Sequence, residues 1–336
     1  MLKLETGCDR QSNVKKTKMR IDPHVHCRDG RQKYKETIEH VFRLCDQAGI
    51  DVICDMPNTD PPILATVEIE KRLALVPKAD MTRYRFFIGA TANEKQLQEA
   101  CGIIKECRQA AGLKLYAGES VGGLGICNEN EQFRVYEMLA GLDYRGVLAV
   151  HCEKSRLCRS GFDPERPVSH CLCRPPEAEV RAVEDQVKFA QNAKFRGALH
   201  ICHISTASAV EVVRSARAGM KISCGVTPHH LLWSYTQMNC REGLLYKVNP
   251  PLRELSDCIA LRHALKVGDI DWIETDHAPH AVCEKFHHPY ASGYPSICLY
   301  GDLINNILPM WGFDEKMIDN VTCNNIKQVF MKGTDL

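Results

Sequence analysis

Ile21-Asp22-Pro23-His24-Val25-His26-Cys27-Arg28 is a short apolar run that carries two histidines and closes on a cation. On a β-strand successive side chains alternate faces, so His24 and His26 share one face and are placed to bind one metal ion, with Arg28 one further step along that face. On a helix the two imidazoles would diverge. Histidine is a common zinc ligand, and two of them supply half of a tetrahedral shell. The remaining ligands must come from elsewhere in the chain.

Working outward, similar apolar or β-branched runs recur at residues 19–25, 51–54, 83–88, 113–116, 146–150, 198–204, 221–226 and 272–275. Segments with apolar residues three and four apart lie between many of them, at 34–48, 94–110, 177–192, 208–218 and 258–266, which is helical spacing. Strand followed by helix, repeated, implies parallel βαβ units. Eight such units predict a (β/α)8 TIM-type barrel, although a doubly wound sheet has the same local pattern. No Pro- or Ser-rich linker divides the chain, so the expected organisation is a polar N-terminal arm over residues 1–18 and one barrel domain over 19–336. The stretches 152–176 and 281–295, rich in proline and poor in periodicity, read as long loops after strand ends, where barrel enzymes place their chemistry.

The chain has 336 residues, of which 44% are hydrophobic and 25% charged, with a formal net charge of +1. That composition suits a globular protein with a sizeable core. It provides no concentrated positive charge for nucleic acid or an anionic membrane, which leaves a small molecule as the default ligand. The 18 cysteines are dispersed, no apolar leader precedes them, and no run reaches transmembrane length, so they read as reduced thiols in a cytoplasmic protein.

Further metal-capable side chains stand at the ends of later runs: Lys114 within Gly112-Leu113-Lys114-Leu115-Tyr116, His151 after Val150, His203 within His200-Ile201-Cys202-His203, and Asp276 ahead of His277-Ala278-Pro279-His280. Each alone is a weak signal. In a barrel, however, the carboxyl ends of strands meet at one mouth. Cys202, one residue before His203, is expected on the opposite face of its strand as a buried small hydrophobe.

Taken in order, Asp22 to Arg28, Asp55-Met56-Pro57-Asn58-Thr59, Leu113 to Tyr116, Cys202-His203, Thr227-Pro228-His229-His230, Val248-Asn249-Pro250-Pro251-Leu252-Arg253 and Asp276 to His280 resemble the motifs of the dihydroorotases, cyclic amidohydrolases of the amidohydrolase superfamily. The resemblance implies that His24, His26 and Asp276 hold one zinc, that His151 and His203 hold a second, and that a carbamylated Lys114 bridges them. A neutral, desolvated lysine amine adds carbon dioxide to give an anion with two oxygen donors, which the cations stabilise. By the same resemblance Arg28, Asn58 and His280 bind a substrate carboxylate, Asn249 contacts the ring amide, and His229-His230 lies outside the ligand shell.

The implied reaction is the reversible, metal-assisted cyclisation of N-carbamoyl-L-aspartate to L-dihydroorotate in pyrimidine biosynthesis, with Asp276 shuttling the proton. The alternatives are a sibling cyclic amidase acting on dihydropyrimidines, hydantoins or allantoin, and an inactive subunit supporting a carbamoyltransferase. A homodimer, or association with aspartate carbamoyltransferase, is the expected assembly. Three features depart from the family pattern. Few residues flank the motifs, so little or no accessory β-sandwich is expected. The segment Gly293-Tyr294-Pro295-Ser296-Ile297 lacks the usual Gly-Leu-Glu wording, and the loop after Lys114 is glycine-rich.

Overall fold

The computed structural model describes residues 18–331. The N-terminal arm, apart from Lys18, lies outside the described residues, as do the last five positions. Eight strands run in chain order around a single parallel sheet: β1 (Ile21–Val25), β2 (Val52–Asp55), β3 (Tyr84–Gly89), β4 (Ala110–Ala117), β5 (Val147–Cys152), β6 (Ala198–Ile201), β7 (Ile222–Val226) and β8 (Trp272–Ile273). The ring closes where Val25 bridges His277 in parallel and the His26 amide donates to the His277 carbonyl at 2.8 Å. Buried Asp22 reinforces the seam by accepting from the Thr275 amide at 3.0 Å and its hydroxyl at 2.5 Å. This is the expected (β/α)8 barrel, and among the described residues every named strand belongs to it.

The strands read as continuous apolar runs because both of their faces are covered. Residues such as Ile53, Phe86, Leu113, Leu115, Leu148, Val150 and Ile201 point outward to the helices, while Cys54, Met56, Phe87, Ala111, Ala149 and Cys202 fill the interior. Phe330, from a carboxyl-terminal helix (Asn325–Phe330), closes the far end of the barrel by packing edge-on against Phe87, His200 and Trp272.

Helix boundaries follow capping chemistry. The helix expected from residue 34 begins at Ile38, because the Thr37 side chain accepts the His40 amide, and it ends at Gly49 with φ 74°. Residues 34–37 are thereby released to the loop above β1. The helix expected to reach 110 stops at Glu106, since Ala110 already pairs with Phe86 in the sheet.

Beneath that loop, Asp55 is fully buried and accepts from Arg72 at 2.6 and 2.8 Å, from the Tyr84 hydroxyl at 2.6 Å and from the Cys27 amide at 2.9 Å. Arg72 also donates to the Arg28 carbonyl. Removing one partner of a buried ion pair strands the other charge. Arg72→Leu is therefore expected to lower stability by about 3–5 kcal/mol in urea unfolding; a loss below about 1 kcal/mol, the scale of an exposed pair, would refute that assignment.

Candidate metal centre and its cavity

The carboxyl ends of β1, β6 and β8 each turn through a non-glycine residue in the left-handed region: Arg28 (φ 55°), His203 (φ 39°) and Asp276 (φ 46°). Such conformations cost of order 1–3 kcal/mol and persist where surrounding contacts enforce them. They also redirect side chains. Arg28 does not continue the face of β1, which ends at Val25; its turn brings it back over the mouth. His203 likewise enters the mouth although Cys202, in phase with His200, already faces the barrel interior. The expected outward orientation of Cys202 is thus corrected: its sulfur lies 2.9 Å from the Lys114 amine.

Of the residues expected to bind metal or substrate, all except Lys114 line one cavity of about 390 Å3 at this end of the barrel. A larger recess of about 550 Å3, lined by Ala110, Val147, Ala198 and Ile222, lies at the opposite, amino-terminal end of the strands.

In the cavity, the His26 Nε2 and His24 Nε2 atoms lie 2.9 and 3.4 Å from one oxygen of Asp276, and the three donor atoms fall within 4.8 Å of one another. His26 Nδ1 is 2.7 Å from Asn58 Oδ1. With the His26 proton committed to that acceptor, its Nε2 lone pair faces a carboxylate, an arrangement that calls for a cation. Burial brings the His26 imidazole down to about 4, so it stays neutral near pH 7. Burial would raise the Asp276 carboxyl, but the His26 hydrogen bond and the charge on His24 outweigh it and hold the group well below the ordinary range. The neutral His26 imidazole and the ionised Asp276 carboxylate, joined by His24 once metal displaces its proton, form a suitable donor set for a divalent metal.

The second pair is built the same way. His151 Nδ1 and His203 Nε2 converge to 3.2 Å. His151 Nε2 faces Glu153 at 3.3 Å, and Arg174 holds that carboxylate at 2.9 Å. A carboxylate on one imidazole nitrogen fixes the proton there and frees the other nitrogen as a ligand. Lys114 sits below, fully buried, with its amine 5.1 Å from the Tyr116 ring centre and, among the described residues, no carboxylate within 4.0 Å. His230 is engaged on both nitrogens, by Thr227 and the Pro250 carbonyl, and His229 on Nδ1 by Ser296, its buried Nε2 having no hydrogen-bond partner among the described residues.

The other wall carries a buried cation and hydrogen-bond donors. Arg28 is 4% exposed; its Nε donates to the Pro279 carbonyl and one terminal nitrogen lies 3.2 Å from His280 Nε2. Among the described residues no carboxylate lies within 4.0 Å of it, so its guanidinium faces the cavity without a counter-ion. Asn58 spends its oxygen on His26, leaving its amide nitrogen as a donor. His280 is pushed down to about 3 by burial and by Arg28 and Lys35. Asn249 Oδ1 and the Tyr116 hydroxyl are buried in the lining with no partner.

No protein-family model matches the chain. A dihydroorotase from Thermococcus kodakarensis is 34% identical over 308 residues, covering 89% of this chain and 66% of the relative. One from Macrococcus caseolyticus is 33% identical over 270 residues, covering 79% and 60%. The chain belongs to the dihydroorotase family. It spans about 60–66% of the length of these curated relatives. Among solved structures, an L-hydantoinase from Arthrobacter aurescens superposes with a TM-score of 0.78 at 21% identity, covering 93% of this chain and 70% of the other. A dihydroorotase from Campylobacter jejuni gives 0.68 at 17%, covering 95% and 85%. These likenesses establish the shared barrel fold.

Within this dihydroorotase-family barrel, several cavity residues escaped the sequence reading. Lys35, Tyr116, Arg174 and Lys247 line the mouth, and nothing in their local spacing distinguishes them from surface or strand residues. The divergent segment at Gly293 is part of the wall: a Cβ there would lie 2.4 Å from the Ala278 carbonyl, and φ is 148°. Lys247, lowered to about 8 by burial, holds this wall through the Tyr290 carbonyl and the Ser292 hydroxyl, both at 2.7 Å. Glu274 and His200 likewise carry no local signal in the sequence. Burial disfavours the His200 cation, but Glu274, 3.0 Å away, raises it to about 9.

Proposed function

We propose that this chain is a metal-dependent dihydroorotase that interconverts N-carbamoyl-L-aspartate and L-dihydroorotate. The observation that carries this reading is the buried Arg28 guanidinium at the proposed metal-ligand mouth, with no carboxylate partner among the described residues, since dihydroorotate is a cyclic amide bearing one carboxylate. Arg28 offers a fork of donors to that carboxylate, with the Asn58 amide and His280 alongside. Asn249 Oδ1 provides an acceptor for a ring N–H. In this reading His24, His26 and Asp276 hold one zinc, His151 and His203 a second, and Lys114 joins them as a carbamate. When bound, zinc supplies an acidified water and polarises the ring carbonyl. Asp276, kept ionised by His26 and His24, takes a proton at its carboxylate oxygen and delivers it to the departing ring nitrogen.

The barrel over residues 19–336 acts in this proposal as one catalytic domain, in the cytosol. Every described cysteine is a free thiol, and among the described residues no helix is long and apolar enough to cross a membrane. Self-association and association with aspartate carbamoyltransferase belong to the same proposal. Sedimentation of the purified chain, alone and mixed with that enzyme, tests them.

The activity test compares ring opening of dihydroorotate with that of dihydrouracil, which lacks the carboxylate. Dihydroorotate turnover that disappears on chelation and returns with zinc supports the assignment. Turnover of dihydrouracil alone transfers the chain to the dihydropyrimidinase-like amidases, and a stably folded protein that binds no metal and turns over neither ring marks it as a scaffold subunit.

A further inference from the structure

Glu274 occupies the interior of the barrel directly beneath Asp276, two residues along from it and on the same side. It is fully buried, and the neighbouring strand makes room for it: a Cβ on Gly225 would lie 2.5 Å from the Glu274 carboxylate. One carboxylate oxygen accepts from Trp272 Nε1 and His200 Nε2, each at 3.0 Å. The other accepts the His203 amide at 2.5 Å and faces His24 Nδ1 at 3.6 Å. The His24 ring therefore lies between two carboxylates, with Nδ1 toward Glu274 and Nε2 toward Asp276. His203 owes part of its left-handed backbone to the same group.

We propose that Glu274 is the positioning carboxylate of the metal centre, orienting His24 in one ligand set and His203 in the other. The inference rests on the metal-ligand reading of the mouth given above. In His24 as a metal ligand one nitrogen bears the proton and the other the lone pair. The Nε2 lone pair belongs with His26 and Asp276, so the Nδ1 proton is aimed at Glu274, 3.6 Å away, and this buried nitrogen has no closer acceptor among the described residues to take it. Glu274, His24 and Cys202 do bring donor atoms within 4.8 Å of one another, but a metal there would require His24 to surrender that last proton. Partners of this kind lock the ring and its tautomer, and losing one typically weakens metal binding about 10- to 100-fold. Through the His203 amide, Glu274 extends that control across both sets from a single side chain.

The test uses Glu274→Gln, of nearly the same size, and Glu274→Asp, which keeps the charge but withdraws it from His24. Zinc stoichiometry, zinc affinity by chelator competition and urea unfolding of the metal-stripped proteins are measured together. The expected result is wild-type stoichiometry at saturating zinc, affinity lowered about 10- to 100-fold in Glu274→Gln and less in Glu274→Asp. Wild-type affinity in folded Glu274→Gln overturns the proposal and leaves the residue a purely structural partner of His200. Loss of one whole equivalent, with the others bound as tightly as before, overturns it in favour of direct ligation. If Glu274→Gln does not fold, Glu274→Asp decides: weaker zinc supports the proposal and unchanged zinc overturns it. A wild-type protein that binds no zinc sinks the metal-centre reading itself, a different failure from either of these.

Discussion

Asp276→Asn is expected to reduce kcat/KM for dihydroorotate ring opening by at least about 10³-fold, equivalent to about 4 kcal/mol of transition-state stabilisation. The proposed role of Asp276 demands both a negative charge beside His24 and His26 and a basic oxygen that accepts a proton at one stage and returns it at the next. Asparagine keeps the size and one carbonyl oxygen but supplies neither. The native carboxyl is suited to the task because His26, 2.9 Å away, and His24 keep it ionised despite complete burial. The fall is expected in kcat with little change in KM, since the proposal places the substrate carboxylate on the other wall. Metal content measured on the same sample separates the two functions: a large loss of kcat at full occupancy identifies the proton shuttle, while parallel loss of metal identifies the ligand. A decrease of less than tenfold with metal retained would remove Asp276 from the chemistry.

The fold was readable because its signals are local. Continuous apolar runs mark strands covered on both sides, and residues such as Thr37, Asn93 and Thr206 cap helices with their own side chains. Even the helix Glu129–Gly141, absent from the sequence reading, has its cap in Asn128; its weak apolar periodicity concealed it. The histidines proposed as ligands stood out for the same reason, each standing at or near the end of a run. Side-chain direction past those ends was not, because alternation fails where the backbone turns left-handed. That turn is set at Arg28 by Arg72 and at His203 by Glu274, contacts spanning 44 and 71 residues of sequence. Glu274 itself was in phase with Asp276. What the sequence did not display was His200 and Trp272 waiting inside the barrel to satisfy a buried carboxylate.

Arg28→Met is expected to lower kcat/KM for dihydroorotate by about 10²-fold or more, mainly through KM, while leaving zinc content unchanged. A charge-assisted hydrogen bond contributes about 1.5–3 kcal/mol, and the guanidinium offers two in parallel to a carboxylate. Because Arg28 is buried and has no carboxylate partner among the described residues, the substrate does not have to displace a resident anion, and most of that interaction is realised on binding. Methionine preserves the length and apolar stem, which limits the change to the charged head. Arg28→Lys is expected to recover only part of the loss, since an ammonium is a point charge without the planar fork. Any turnover of dihydrouracil is expected to be insensitive to both substitutions, because that ring has nothing for Arg28 to hold. Equal losses on the two rings would mean that Arg28 supports the mouth instead of reading the substrate. Loss of zinc from Arg28→Met would place the residue with His24 and His26 in the metal centre, and the division of this short segment between catalyst and specificity would have to be redrawn.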